Sequence, residues 1–288
     1  ELAFEDRWIL SRLASVTRQV TEALESYRFS EAARTMYDFA WDEFCSSYVE
    51  MVKTRLQDAG QRTVAQRVAT HVLDTILRLL HPMIPFITEE VWQRLAQLAP
   101  QRGLSEHQPA SRQLITAVWP VSAEEHVDPS VQRQFEQYHA VLSALREIRS
   151  RQNIGYKKPV HFSVQCDSAT ADLLEPLSPY FAALANATAT GFGEQVDTPE
   201  TRASVQLDNV RIDVDLSGVI DIAAERARLE KEQARIRNMI AGKEKKLGNA
   251  NFVQRAPDQV GQREKDSLAQ LQLQLEAVNE SLQGMENG

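Results

Sequence analysis

The feature that most constrains this chain is a helical repeat of apolar residues in its first half, interrupted by proline and glycine. Its first stripe has helical spacing, as expected of one buried helix face, and consists of Trp8, Leu10, Leu13, Val16, Val20 and Leu24. Gly60, Pro82 and Pro129 separate the helices, because glycine weakens a helix and proline removes a backbone donor. The predicted helices cover about residues 8–24, 31–56, 61–80, 85–99 and 129–152. Long helices with short links predict an antiparallel helix bundle over residues 1–152.

The second predicted helix supplies several expected core residues. Ser30 is a good N-cap for it, with Glu31 in the first turn. Its predicted buried stripe is Ala33, Met36, Ala40, Phe44, Tyr48, Met51 and Val52. Trp41 and Cys45 are also predicted to lie in the core. After the fourth helix, residues 100–127 read as a connection with one short strand at Leu114–Val118.

Residues 153–221 change to a mixed pattern that predicts a small α/β module. Residues 160–164 alternate like a strand, and the segments 203–207 and 210–216 flank the hairpin signal Asp208-Asn209. A helix is predicted over 170–187, and Gly191-Phe192-Gly193 is predicted to form a turn. Nothing in the module's own residues indicates a chemistry.

The tail, residues 222–288, is predicted to fold back on itself as an antiparallel helical hairpin, or coiled-coil arm. Its second half carries a heptad seam of Leu268, Leu271, Leu275, Val278, Leu282 and Met285. Helix breakers, among them Pro257 and Gly261, separate this seam from an earlier one that includes Ile236 and Ile240. A first limb of about 25 residues would extend about 40 Å. The fold class is therefore mainly α, with one small α/β module.

Net charge conceals a strongly basic segment. The chain carries a formal charge of −8, yet Arg226–Lys265 holds 11 basic and 5 acidic side chains, and no basic residue follows Lys265. Two interpretations remain open for this segment: a solvated helix with internal ion pairs, or an electrostatic contact to phosphate.

The residues indicate no catalytic constellation. Neither phosphate-binding glycine motif is present, and the six histidines are scattered, so neither a metal nor a cofactor is expected. Asp38 and Asp42 lie one turn apart, but a solvated face or a pair with Arg34 explains them better than acid–base chemistry. Two cysteines and the lack of a membrane span or signal pattern predict a cytoplasmic protein. Because the chain begins with Glu1, we expect it to be part of a longer protein.

Two segments of the bundle resemble the anticodon-binding domain of class I aminoacyl-tRNA synthetases. The first is Arg28-Phe29-Ser30-Glu31-Ala32-Ala33 followed by Tyr37-Asp38-Phe39-Ala40-Trp41-Asp42-Glu43-Phe44-Cys45 and Tyr48-Val49-Glu50. The second, residues 81–92 (HPMIPFITEEVW), is similar to a signature shared by the valine, isoleucine and leucine enzymes. The tail, with residues 224–232 (AERARLEKE), Lys246-Leu247, Asn249, Phe252-Val253 and Ala256-Pro257, resembles the C-terminal coiled coil of the bacterial valyl-tRNA synthetases.

The resemblance implies a non-catalytic, tRNA-binding part of such an enzyme, monomeric and without a cofactor of its own. Its partner would be tRNA(Val), whose anticodon stem-loop meets the bundle and whose outer corner meets the arm. The ATP-site signatures H-I-G-H and K-M-S-K-S of the family are missing from the chain, so valine activation would belong to an upstream domain. On the arm, the candidate phosphate contacts are Arg226, Arg228, Lys231, Arg235, Arg237, Lys243, Lys245 and Lys246. On the bundle, the candidate contacts are Lys53, Arg55, Arg146, Arg149, Arg151, Tyr156, Lys157 and Lys158.

Two alternatives belong to other functional classes. The chain would be a protein–protein interaction module if its arm docks a partner or dimerises through Leu268–Met285. A self-contained enzyme is the weakest alternative, because no set of catalytic groups is evident in the sequence.

Overall fold

The computed structural model describes residues 2–104, 106–218 and 222–247, together with eight residues of the tail: 264, 267–269, 271, 272, 275 and 279.

 In residues 222–229 and 232 only the backbone is described. The described part is mostly helical and contains a small mixed β-sheet. No helix within it is long and apolar enough to cross a lipid bilayer.

Helices make up most of the first 151 residues. They are α1 (Phe4–Glu25), α2 (Phe29–Tyr37), a π-helical segment (Asp38–Tyr48), α3 (Val49–Gln57), α4 (Arg62–Leu80), α5 (Pro85–Leu98) and α6 (Pro129–Arg151). Proline stands at the first position of α5 and α6, where its missing N–H costs nothing. The Asp128 side chain caps α6 by accepting from the backbone N–H groups of Ser130 and Val131. Helix α1 packs against α2, α4 and α6.

The turn between α1 and α2 is tighter than the sequence predicts. Tyr27 adopts the left-handed conformation, with φ 59°, and Arg28 N donates to Ala23 O at 2.7 Å. This closes the end of α1 and lets α2 begin at Phe29, with Arg28 as its N-cap. The prediction that Ser30 caps the helix is therefore wrong.

The second helix, predicted over residues 31–56, is present, but its middle is a π-helix, Asp38–Tyr48. Its buried residues include Met36, Phe39, Phe44 and Tyr48, so one step in the buried stripe is five residues long. The wider π turn absorbs the extra residue. The predicted stripe and core are wrong at three positions, because Ala33, Trp41 and Cys45 are exposed.

The connection after α5 contains two very short strands, β1 (Gln101–Arg102) and β2 (Gln108–Pro109), which pair antiparallel. Gly103 allows this turn, since it has φ +105° and an added Cβ would lie 2.1 Å from Glu106 O. Two 3₁₀ turns follow, Leu114–Thr116 and Glu124–His126. The predicted strand at 114–118 is therefore wrong.

The α/β module contains β3 (Val160–Gln165), α7 (Ser168–Leu174), a 3₁₀ turn (Glu175–Leu177), α8 (Ser178–Ala185), β4 (Ala187–Gly193), β5 (Arg202–Leu207) and β6 (Val210–Asp215). The strand order is β4-β3-β6-β5, with β3 and β4 parallel and the other pairs antiparallel. The structure confirms the predicted strand at 160–164 and the hairpin at Asp208-Asn209.

Of two further predictions for this module, one is confirmed in outline and one is wrong. The helical stretch predicted around 170–187 is present, but it consists of α7, a 3₁₀ turn and α8, and α8 ends where Asn186 adopts the left-handed conformation. Gly191-Phe192-Gly193 belongs to strand β4 and does not form a turn. One apolar core runs through both the helices and the module, since Tyr138 of α6 contacts Phe181 of α8, which contacts Phe162 of β3.

The tail begins with the predicted helix, α9 (Ile222–Leu247). Ile236 and Ile240 form a small buried cluster with Leu271, and Leu268 and Leu275 pack against it. Two predicted parts of the tail lie outside the described residues. They are the breaker region at Pro257 and Gly261 and the end of the heptad seam, Val278, Leu282 and Met285.

Candidate nucleic-acid interface

The outer surface of α9 carries the basic residues predicted for the arm. Lys231, Arg235, Arg237, Lys245 and Lys246 are exposed, and Lys243 is half-buried. The side chains of Arg226 and Arg228 lie outside the described residues. At about 100° per residue, Lys231, Arg235, Lys245 and Lys246 fall on one side of the helix, within about 100° of one another, whereas Arg237 lies about 120° from Lys231. Most of this positive charge therefore lies on the side of α9 that faces away from the buried Ile236 and Ile240.

Two of these lysines bind a carboxylate within the chain. Lys243 Nζ lies 2.7 Å from Glu264 Oε2, and Lys246 Nζ lies 2.6 Å from Glu264 Oε1. These hydrogen bonds lower the pKa of Glu264 to about 2. Lys243 and Lys246 therefore also join α9 to the tail segment beyond it.

The two bundle candidates on α3 have different surroundings. Lys53 is exposed and forms a 2.6 Å hydrogen bond with Glu50 on its own helix. The Arg55 side chain is only 11% exposed and forms ion pairs with Glu5 at 2.6 Å and Asp6 at 2.8 Å, both fully buried on α1. Arg55 therefore joins α3 to α1 inside the protein, contrary to the predicted position facing an RNA stem.

Arg149, near the end of α6, is also directed inward, contrary to its predicted role as a surface contact. It is 5% exposed, and its Nη2 lies 2.6 Å from Gly155 O, 3.1 Å from Tyr156 O and 2.7 Å from Lys158 O. Burial lowers the pKa of this guanidinium. Arg149 thus organises the loop that follows α6.

The other candidates near the end of α6 are at the surface. Tyr156, Lys157 and Lys158 are exposed, as are Arg146 and Arg151. Arg146 Nη2 donates to Leu184 O at 3.2 Å, and Arg151 pairs with Glu147 at 2.5 Å. The structure therefore brings together five of the predicted bundle contacts at the junction of α6, α8 and β3.

Sequence reasoning missed two aromatic rings on the second long helix. Tyr37 and Trp41 are 62% and 60% exposed, although aromatic residues at helical spacing normally indicate core. The five-residue step from Phe39 to Phe44 is the signal that could have placed Trp41 outside. Exposed rings of this kind are suited to stacking on unpaired bases.

A metal site is not evident in the residues that the structure describes. Among them, no group of three or more His, Cys, Asp or Glu side chains is arranged to hold a metal ion. A cavity of about 470 Å³ between α1, α4 and the connection is lined by Asp74, Arg78 and Arg102. Asp74 is engaged there by both arginines. Asp38 lies 3.9 Å from Arg34, as the non-catalytic interpretation of this carboxylate predicts.

Comparison with known protein families assigns most of the chain. The family described as the anticodon-binding domain of tRNA ligases matches residues 6–164. The family described as the valyl-tRNA synthetase tRNA binding arm matches residues 221–286.

The chain is also similar to curated valine–tRNA ligases along most of its length. That of Rhodopirellula baltica is 48% identical over 283 residues, which cover 98% of this chain and 27% of the relative. That of Geobacter sulfurreducens is 34% identical over 286 residues, covering 98% and 31%. The chain spans less than a third of the length of these relatives. By its match over residues 6–164, more than half of its length, the chain belongs to the family of anticodon-binding domains of tRNA ligases.

Proposed function

We propose that this chain is the tRNA-binding part of a valine–tRNA ligase, in which the helical bundle and the α9 arm hold tRNA(Val). The observation that carries the proposal is the order of the two family matches within one chain, the anticodon-binding domain first and the tRNA binding arm after it. In the parent protein, a separate catalytic part would attach valine to this tRNA using ATP. The chain itself would act as a cytoplasmic monomer and need neither a metal nor a cofactor.

The contacts of the tail support an antiparallel hairpin arm. As the residue number increases along α9, the number of the tail residue that it contacts decreases. Gln233 bonds to Asn279 at 2.7 Å, Ile236 and Ile240 contact Leu271, and Lys243 bonds to Glu264. This order is what two antiparallel helices produce. The basic side chains on the outside of this arm are exposed and therefore accessible to RNA.

The electrostatics of the arm favour a phosphate partner. Lys231, Arg237 and Lys245 are exposed on α9, in the segment where basic side chains outnumber acidic ones by 11 to 5. Basic side chains on a helix bind phosphate by a sequence-independent, salt-dependent attraction. Base recognition would come from the bundle, whose exposed aromatic rings can stack on unpaired bases.

The same contacts weaken the alternative that the arm is a dimerisation module. Leu268, Leu271 and Leu275 of the heptad seam pack against α9 within the chain. A dimer formed through this seam would need to displace α9 from it.

The test is tRNA(Val) binding by the 288-residue chain as a function of salt. Replacing Arg235, Arg237, Lys245 and Lys246 by glutamate should weaken binding. It should also make the plot of log K against log salt concentration less steep, because each lost phosphate contact reduces the magnitude of that slope by about 0.7–0.9. Unchanged affinity and slope would exclude the arm from the interface. A salt-insensitive dimer without tRNA affinity, observed by light scattering, would favour the protein–protein module.

A further inference from the structure

The loop at residues 155–158, between α6 and β3, is fixed by side chains on two sides. From α6, Arg149 Nη2 contacts the carbonyl oxygens of Gly155, Tyr156 and Lys158 at 2.6–3.1 Å. From the end of α8, Asn186 Nδ2 donates to Tyr156 O at 3.0 Å. A loop held through its carbonyl groups in this way keeps one backbone shape and directs its side chains outward.

The outward side chains of this loop combine an aromatic ring with positive charge. Tyr156 is 63% exposed, and its hydroxyl donates a 3.3 Å hydrogen bond to Ala183 O. Lys157 follows it and is exposed. A ring this exposed adds little to the core, whereas a fixed ring beside a lysine suits a base and its phosphate.

We infer that loop 155–158 is a preformed RNA-contact loop, in which Tyr156 stacks on a base, Lys157 contacts a phosphate, and Arg149 is a positioning residue. The inference rests on the proposed function, since it assigns part of the tRNA interface to this loop. Ordering the loop before binding reduces the entropy lost when RNA binds. Arg149 acts through the loop backbone and does not touch the RNA.

A merely structural explanation of Arg149 is that it closes the end of α6. The backbone already does this, because Gln152 N donates to Ile148 O and Ile154 N donates to Arg149 O. All three acceptors of the Arg149 side chain lie beyond that end, in the loop. Its contacts therefore determine loop shape more directly than helix termination.

The first experiment measures tRNA(Val) affinity for variants of the full chain. Tyr156→Ala should weaken binding about 5- to 150-fold, the range for loss of one stacked base, whereas Tyr156→Phe should stay within about twofold because it keeps the ring. Lys157→Ala should lower the salt slope by about 0.7–0.9. Arg133→Ala, an exposed basic residue at the other end of α6, is the matched control and should bind as the unmodified chain does.

The second experiment separates positioning from general stability. Arg149→Met should speed amide exchange in residues 155–158 and weaken binding. In the double variant with Tyr156→Ala, the two effects should not add, because both remove the same stacked ring. Arg149→Lys keeps one charged donor and should therefore bind more tightly than Arg149→Met. If the methionine variant does not fold, the lysine variant takes its place in both measurements. Additive losses, or a Tyr156→Ala variant that binds like the unmodified chain, would overturn the inference.

Failure of this inference is distinguishable from failure of the proposed function. If the unmodified chain binds tRNA(Val) and only the arm variants lose affinity, the loop assignment is wrong and the proposed function stands. If the unmodified chain has no affinity for tRNA(Val), both are wrong.

Discussion

Arg102 Nη1 lies 2.6 Å from Asp74 Oδ1, and both side chains are at least 94% buried. The Arg102 guanidinium also lies 4.4 Å from the centre of the Trp92 ring, while Arg78 contacts the second Asp74 oxygen at 2.8 Å. This cluster joins α4 to the connection after α5. A buried carboxylate is stable here only because cations compensate its charge.

We expect Arg102→Met to destabilise the fold by about 3 kcal/mol, because it leaves buried Asp74 with one cation. Urea unfolding would measure the change. Arg94→Ala provides the control, since Arg94 and Glu90 form an exposed pair, and such pairs contribute at most about 0.5 kcal/mol. Equal losses in the two variants would contradict the importance assigned to the buried pair.

The Arg55 cluster predicts a structural effect at a residue first identified as an RNA contact. Arg55→Met would leave Glu5 and Asp6 buried without their cation, and we expect a loss of about 3–5 kcal/mol. Tyr48 Oη donates to Asp6 at 3.0 Å and compensates part of this loss. Lys53→Met, on the same helix but exposed, should change stability by less than about 0.5 kcal/mol.

The tRNA affinity of the Arg55→Met variant decides between the two roles. Under conditions in which the variant remains folded, its affinity for tRNA should match that of the unmodified chain, because the Arg55 side chain faces α1 and not the solvent. A large loss of affinity with unchanged stability would restore the original surface assignment.

The sequence predicted the helices well because their apolar spacing is regular. It failed at the π segment because the usual pattern assigns Trp41 and Cys45 to the buried face. The five-residue step between Phe39 and Phe44 moves both outside, and a pattern that assumes regular α-helical spacing does not allow for such a step. The end of strand β4 was missed because Gly191 and Gly193 weaken the sequence pattern of a strand. Its pairing with β3 nevertheless keeps this segment extended.

The candidate contacts could be predicted by residue type but not by direction. The sequence contains nothing that separates Arg149 and Arg55 from Arg151 and Lys53, because all four lie near helix ends. Their separation depends on where Glu5, Asp6 and the carbonyl groups of the 155–158 loop lie, which is tertiary information. Long-range partners of this kind cannot be read from helical periodicity.

His71 predicts how stability responds to mild acid. Burial lowers the pKa of its imidazole, and the charges of His126 and Arg78 act in the same direction, while Asp74 opposes them. As the pH falls, the unfolded chain therefore binds a proton on this residue at a higher pH than the folded chain does. The contribution of neutral His71 to the free energy of unfolding is fully present above about pH 6.5 and decreases as the pH drops towards the folded pKa. The slope contributed by one residue is at most about 1.4 kcal/mol per pH unit.

Urea unfolding at several pH values between 7 and 5 would test this expectation. His71→Gln should show a shallower decline than the unmodified chain, because it removes one proton-binding group from the unfolded state. An unchanged slope would show that His71 is not the residue responsible.

Glu264 predicts a different pH response in the arm. Its pKa is lowered to about 2 by hydrogen bonds from Lys243 and Lys246, so the stabilising contact is fully present above the unfolded pKa of about 4.3 and is lost as the pH falls through about 2. Glu264→Gln should therefore speed amide exchange in the last turns of α9 at neutral pH. Near pH 2 the difference from the unmodified chain should largely disappear. Glu244→Gln, an exposed residue of the same helix, controls for the loss of a negative charge; equal acceleration by both variants would argue against a specific role for Glu264.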